Sequence, residues 1–155
     1  MNEEKNTSLM TSDANIFNGS KKSMFSTLDL NSDENKIKLY NSLQECDIRL
    51  NDIKNQVIEV CDLFVEKKEV AERDEKTKEI IYDEETGEVK LKTRFRIILF
   101  GTDGKTYVSS AYGIYNSLSQ IVNIFGYPTE DKPMKFKISG RKLDSGKETL
   151  ILTIV

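Results

Sequence analysis

Between residues 57 and 155, apolar positions recur mostly at every second residue and once at helical spacing. Thr93–Phe100 shows the strand rhythm most clearly, with Phe95, Ile97 and Leu99 on one face and Arg94, Arg96 and Ile98 on the other. Upstream, Val57–Val65 is nearly continuous in β-branched and other apolar residues, broken by Glu59 and Asp62; it predicts a strand long enough to bend round a barrel corner. Asp103-Gly104 makes a tight turn, and Thr106–Ser109 returns as a third strand. The spacing then changes. Ile114, Tyr115, Leu118, Ile121, Val122 and Phe125 fall on one stripe and predict a helix over 112–125. Ser109 or Ser110 is expected to cap its start, while Gly126 and Pro128 stop it. Met134–Gly140 alternates again, Met134, Phe136 and Ile138 against Lys135 and Lys137. A turn at Asp144–Gly146 leads to a last strand, Thr149–Val155.

The first two of these strands are separated by a charged run, Glu66–Glu69, and a polar excursion from Glu72 to Lys90. Ile80–Tyr82 facing Val89 and Leu91 across Asp83–Gly87 predicts an exposed hairpin there. Before the barrel, residues 23–30 alternate weakly and can form a short strand. Asn31 and Glu34 resemble a capping box, and Ile37, Tyr40 and Leu43 predict a short amphipathic helix over 32–45. Residues 1–22 are rich in Asn, Ser, Thr and Lys with scattered apolar residues, and read as a disordered arm. The expected organisation is thus an arm (1–22) and one domain (23–155), made of a strand-and-helix extension (23–55) and a barrel (56–155). Three strands, a helix and two strands is the order of the five-stranded OB-type barrel, an all-β core with its helix between strands 3 and 4. A small open α+β sheet is the competing arrangement.

Composition narrows the function. Histidine is absent, which removes the commonest general base and metal ligand. No nucleophile elbow, phosphate-binding loop or metal-ligand spacing occurs, so neither an enzyme, a metal nor a cofactor is expected. Cys46 and Cys61 form no framework and are read as buried free thiols in a reducing compartment. No run approaches the ~18–20 apolar residues of a membrane span, and Met1–Ser20 does not resemble a secretory signal, so a cytoplasmic protein of a bacterial host is expected. The net charge of −3 speaks against a polyanionic partner until its distribution is considered. Residues 91–155 hold 10 Lys and Arg against 5 Asp and Glu, whereas 56–90 hold 6 against 12. A docking phosphate responds to the local field, and one half of this chain is basic.

OB barrels bind oligonucleotides on the face of strands 2 and 3, helped by the loops joining strands 1–2 and 4–5. Those places hold Arg94 and Arg96, Tyr107, Tyr112, Lys135 and Lys137, and the loop residues Arg141, Lys142 and Lys147. Phe64 at the end of strand 1 is a further candidate. Cations neutralise phosphates and release counterions, and aromatic faces stack bases. Taken singly, a strand Lys or Arg is also what any solvated face displays, and each aromatic is also a natural core residue; convergence on one surface is what favours binding. Ile16 and Phe17 in the arm are candidates for docking on a neighbouring subunit.

Three stretches then resemble a known family. Gly104-Lys-Thr-Tyr-Val-Ser-Ser110, the following Ala111-Tyr-Gly-Ile-Tyr-Asn-Ser-Leu118, and Ile124-Phe-Gly-Tyr-Pro128 are similar to single-stranded DNA-binding proteins of bacteriophages and conjugative elements of Gram-positive bacteria; Arg49–Ile53 and Ile58–Val60 add to the likeness. It covers roughly residues 24–155. The resemblance implies a protein that coats single strands during replication, recombination or conjugative transfer without strong sequence preference. The chain ends in Leu150–Val155 rather than an acidic tip, so assembly as a homo-oligomer through the N-terminal arm is the expectation. The rival is an OB-like protein-interaction factor in a replication complex, favoured by the net negative charge and the acidic hairpin.

Overall fold

The structure, a computed structural model, describes residues 24–155. Its core is all-β: seven strands in one sheet, with two helices. In chain order the elements are β1 (Met24–Ser26), α1 (Asp33–Gln44), β2 (Ile48–Arg49), a 3-10 turn (Leu50–Ile53), β3 (Val57–Ala71), β4 (Leu91–Gly101), β5 (Thr106–Ser109), α2 (Tyr112–Phe125), β6 (Met134–Lys142) and β7 (Glu148–Ile154). Five barrel strands and a short strand within 23–30 were expected; the short strand, β1, joins the edge of β3, and an additional strand, β2, joins β5 in parallel. Neighbours across the sheet run β2-β5-β4-β3-β6-β7.

β3 organises the fold. One edge pairs with β4 along most of its length. β6 pairs with Val57–Val60, and β1 with Phe64–Glu66. A bulge between Val60 and Asp62 sits where β3 passes from one partner to the other, the kind of local bend that curls a sheet. Among the described residues β5 and β7 are not paired, and α2, which follows β5, packs against β7. Ser117 on α2 donates to Gly113 O at 2.8 Å and accepts the Leu152 N–H of β7 at 3.1 Å. A side chain at Gly113 would run into Leu150 O, so glycine is what lets the helix approach that strand.

The sheet is buried on both faces at its centre, which explains the apolar runs Leu63–Val65 and Ile97–Phe100. Leu63, Val65, Ile97 and Leu99 join Ile114, Leu118, Phe136 and Ile138 inside the curl. Phe64, Ile98 and Phe100 point the other way and are covered by Leu28 and Leu39. Each such fully buried side chain stabilises the fold by roughly 1.5–3 kcal/mol. The second cluster sets the rotation of α1. Leu39 and Ser42 are buried, while Ile37 and Tyr40, expected on the packed stripe, are each 61% exposed. The cap also falls one residue later than expected: Ser32 accepts the Asn35 N–H. α2 spans the predicted residues and ends at Gly126 with φ 86°, but Ala111 occupies its N-cap without a side-chain bond; Ser109 accepts the Ala111 N–H instead.

The charged run Glu66–Glu69 belongs to β3, so β3 and β4 form a long two-stranded arm. Its tip carries two small hairpins, closed by bridges at Arg73–Ile80 and Tyr82–Val89, where one was expected. They repeat one sequence, Asp-Glu-x-Thr-x-Glu followed by Ile80 or Val89. In each, the Asp carboxylate accepts two main-chain N–H groups and the Thr hydroxyl a third.

Candidate nucleic-acid interface

β4 alternates Lys92, Arg94 and Arg96 with Thr93 and Phe95. Its pairing with β3 continues to Ala71–Leu91, but β5 stops at Ser109 opposite Ile97. A groove of about 900 Å³ opens along the edge this leaves. Arg49, Lys68, Lys92, Arg94, Phe95 and Tyr112 line it, with Glu148 and Thr149 at the start of β7.

Its aromatic wall is a cluster anchored at one end. Tyr115 is buried and lies 4.3 Å, centroid to centroid, from Phe95; Phe95 lies 5.6 Å from Tyr112. Burial pushes the Tyr115 hydroxyl up from its ordinary pKa, and neighbouring Tyr112 adds to this. Lys67 stands 6.0 Å over the Tyr115 ring, and burial lowers its ammonium pKa. Tyr112 is 61% exposed. An exposed ring held by two packed ones presents a face whose position is fixed in advance, as a stacking platform requires.

The cations divide by partner. Arg96 donates from Nε to Glu66 Oε1 at 3.1 Å, approaches it through Nη2 at 3.0 Å, and donates from Nη1 to Leu43 O at 3.1 Å. It ties α1 to the sheet and has little left for a phosphate. Among the described residues, no ion pair engages Lys68, Lys92 or Arg94. Lys68 lies directly opposite Arg94 on β3, and Lys92 follows on the same face of β4.

Of the candidates from the sequence, the structure gathers Arg94, Arg96 and Tyr112 in this groove. Two others are core residues. Phe64 is fully buried beneath α1. Tyr107 packs inside the curl and donates its hydroxyl to Asp103 Oδ2 at 2.8 Å; burial first, and this bond next, push it to a pKa of about 12. Neither ring offers a face to a base. Lys135 and Lys137 lie on β6, where Lys137 pairs with Val57 and Thr153, away from the groove lining. Arg141 and Lys142 end β6 opposite Thr149 and Glu148, and Lys147 lies in the adjoining turn; these three border β7 without lining the groove. Ile16 and Phe17 lie outside the described residues. Lys68, Lys92 and Arg49 line the groove as well and were not among the candidates. Lys68 and Lys92 continue the two-residue rhythm of Glu66 and Arg94, which was the signal that could have found them. No helix among the described residues is long and apolar enough to cross a membrane.

Cations and an anchored aromatic cluster beside an open edge of a curled β-sheet are the elements that sheet-based oligonucleotide binders use. The phage single-stranded DNA-binding protein family of the phi29 type matches residues 18–155, and the chain belongs to that family. Comparison with curated proteins and with solved structures gives no match.

Proposed function

We propose that this protein binds and coats single-stranded DNA without strong sequence preference, during replication, recombination or conjugative transfer in the cytoplasm of a bacterial host. Strands β3 to β7 act as a five-stranded OB-type barrel, left open between β5 and β7, with α2 between its third and fourth strands. DNA enters the groove beside β4. The carrying observation is the conjunction there of exposed Tyr112 with Lys68, Lys92 and Arg94, cations without an ion-pair partner among the described residues. Stacking and phosphate neutralisation are both indifferent to sequence, which suits a coating protein. Arg141, Lys142 and Lys147 extend the basic surface beyond the groove. Assembly along DNA runs through the arm, with Ile16 and Phe17 docking on the next copy. No catalytic step is assigned.

Fluorescence anisotropy with labelled oligo(dT), duplex and RNA controls, over a salt series, tests this. The expected result is tight binding to the single strand, with log K falling by about 0.7 per log unit of salt for each phosphate contact. Absence of binding at low salt would overturn it. A protein-interaction role would then follow from the arm tip, where residues 72–90 hold 8 Asp and Glu against 4 Lys and Arg.

A further inference from the structure

The edge of β4 in this groove has a property that the cations and rings do not supply. Main-chain N–H and C=O groups of a strand point alternately to its two neighbours. The phase is fixed by two bonds: Gly101 donates its N–H to Lys105 O on the β5 side, and Thr102 donates its N–H to Glu59 O on β3, both at 2.9 Å. Leu91, Thr93 and Phe95 share the phase of Gly101. Their N–H and C=O groups therefore face away from β3, into the space that β5 vacates after Ser109. No strand of the described residues pairs with them there. An unpaired row of this kind is a template for hydrogen bonding.

We infer that this row, at Thr93 and Phe95, reads the Watson–Crick edge of a base stacked on Tyr112, and so sets the preference for unpaired over duplex DNA. The inference rests on the function proposed above and adds to it the discriminating element. Each residue of the row offers one donor and one acceptor side by side. Every base carries the complement on its Watson–Crick edge: N3–H beside O4 in thymine, N1–H beside O6 in guanine, the exocyclic amine beside N1 in adenine and beside N3 in cytosine. A main-chain row thus accepts all four bases and rejects any base whose edge is already occupied by a complementary strand. Stacking and phosphate contact alone do not make that distinction, because a duplex end also presents a ring face and phosphates. The surroundings favour a nucleic acid over an added protein strand: the row lies beside the ring of Phe95, 5.6 Å from Tyr112, with Lys92 and Arg94 on the same strand.

The probe is oligo(dT) compared with oligo(dT) methylated at N3, which keeps phosphates and ring faces but lacks the N3–H donor. The wild-type protein should bind the methylated strand more weakly, by roughly two- to tenfold per contacted base. Thr93→Pro removes an N–H that faces the groove and none that bonds β3. It should weaken oligo(dT) binding and be less sensitive to methylation than the wild type, while Thr93→Ala, which keeps the N–H, retains the wild-type sensitivity to methylation. Equal wild-type affinity for both oligonucleotides would overturn the inference without touching the proposed function. That result with a changed oligomeric state in Thr93→Pro would assign the edge to strand addition by a second protein chain. No binding to either oligonucleotide would instead sink the function itself.

Discussion

Arg96 and Glu66 face each other across β4 and β3, and the guanidinium that joins them also donates to Leu43 O at the last turn of α1. Two residues back along β4, Arg94 faces Lys68 and has no carboxylate partner among the described residues. Two arginines on the same face of one strand therefore do different work: one holds a helix to the sheet, the other leaves its charge to the groove.

Arg96→Ala should accordingly act on stability. It leaves a Glu66 carboxylate, only 12% exposed, without its cation, at a cost of about 1–3 kcal/mol in urea unfolding. The affinity of the folded fraction for single-stranded DNA should change little. Arg94→Ala should do the opposite: stability within about 0.5 kcal/mol of wild type, weaker binding, and a salt slope shallower by about 0.7. Equal losses of affinity in the two variants would refute the division.

The aromatic residues separate in the same way. Tyr112→Ala should cost about 1–3 kcal/mol of binding free energy with little loss of stability, because the ring is exposed and rests on Phe95. Phe64→Ala should cost about 3–5 kcal/mol of stability by opening a cavity between β3 and α1. Anisotropy and thermal unfolding on both variants distinguish the roles, and a Tyr112→Ala protein with wild-type affinity would remove that ring from the site.

The order of strands and α2 was legible because each element carries its own rhythm: Phe95, Ile97 and Leu99 at a spacing of two, Ile114, Leu118 and Ile121 at helical spacing, Gly126 at a positive-φ stop. What escaped was set by tertiary contacts. Glu66–Glu69 looks like a loop because its charges hide a strand whose stability comes from pairing with Thr93–Arg96. β2 has two residues and too little pattern to register. α1 turned Leu39 rather than Ile37 inward because the Phe64–Ile98–Phe100 surface decides its rotation, and that surface exists only after the sheet forms. For the site, alternation placed Arg94 and Arg96 together correctly, but no local pattern could reveal that Glu66, thirty residues away, takes one of them.

The paired hairpins at the arm tip offer a controlled comparison. Lys78 and Gly87 occupy equivalent places in the repeated sequence, with φ of 65° and 76°. A residue with a side chain in this region costs roughly 1–2 kcal/mol, and glycine avoids it. Lys78→Gly should stabilise the first hairpin by up to ~1 kcal/mol after the added freedom of the unfolded chain is counted, and Gly87→Lys should destabilise the second by about as much. Hydrogen exchange of the Glu79 and Glu88 amides reads both, and protection that moves in the same direction in the two variants would contradict the equivalence.

Asp62 carries a pH signature. It is buried, accepts the Thr27 hydroxyl at 2.8 Å, and is pushed above the ordinary aspartate range mainly by loss of solvent, with the Thr27 bond and Lys38 opposing. A carboxyl whose folded pKa lies above its unfolded value favours folding in its protonated form. That contribution is present at low pH and is lost as pH rises from the unfolded value through the raised one. At pH 7 the ionised group therefore weighs against folding. Asp62→Asn keeps an acceptor for Thr27 and removes the charge, so it should raise the urea midpoint at pH 7. At a pH of about 3.5, below the ordinary aspartate value, the wild-type carboxyl is largely protonated, and the two midpoints should converge. Other carboxylates, such as Asp74 and Asp103 with their lowered pKa values, shift both proteins alike. A difference that stays constant across that whole pH range would show that the Asp62→Asn substitution acts through packing rather than through charge.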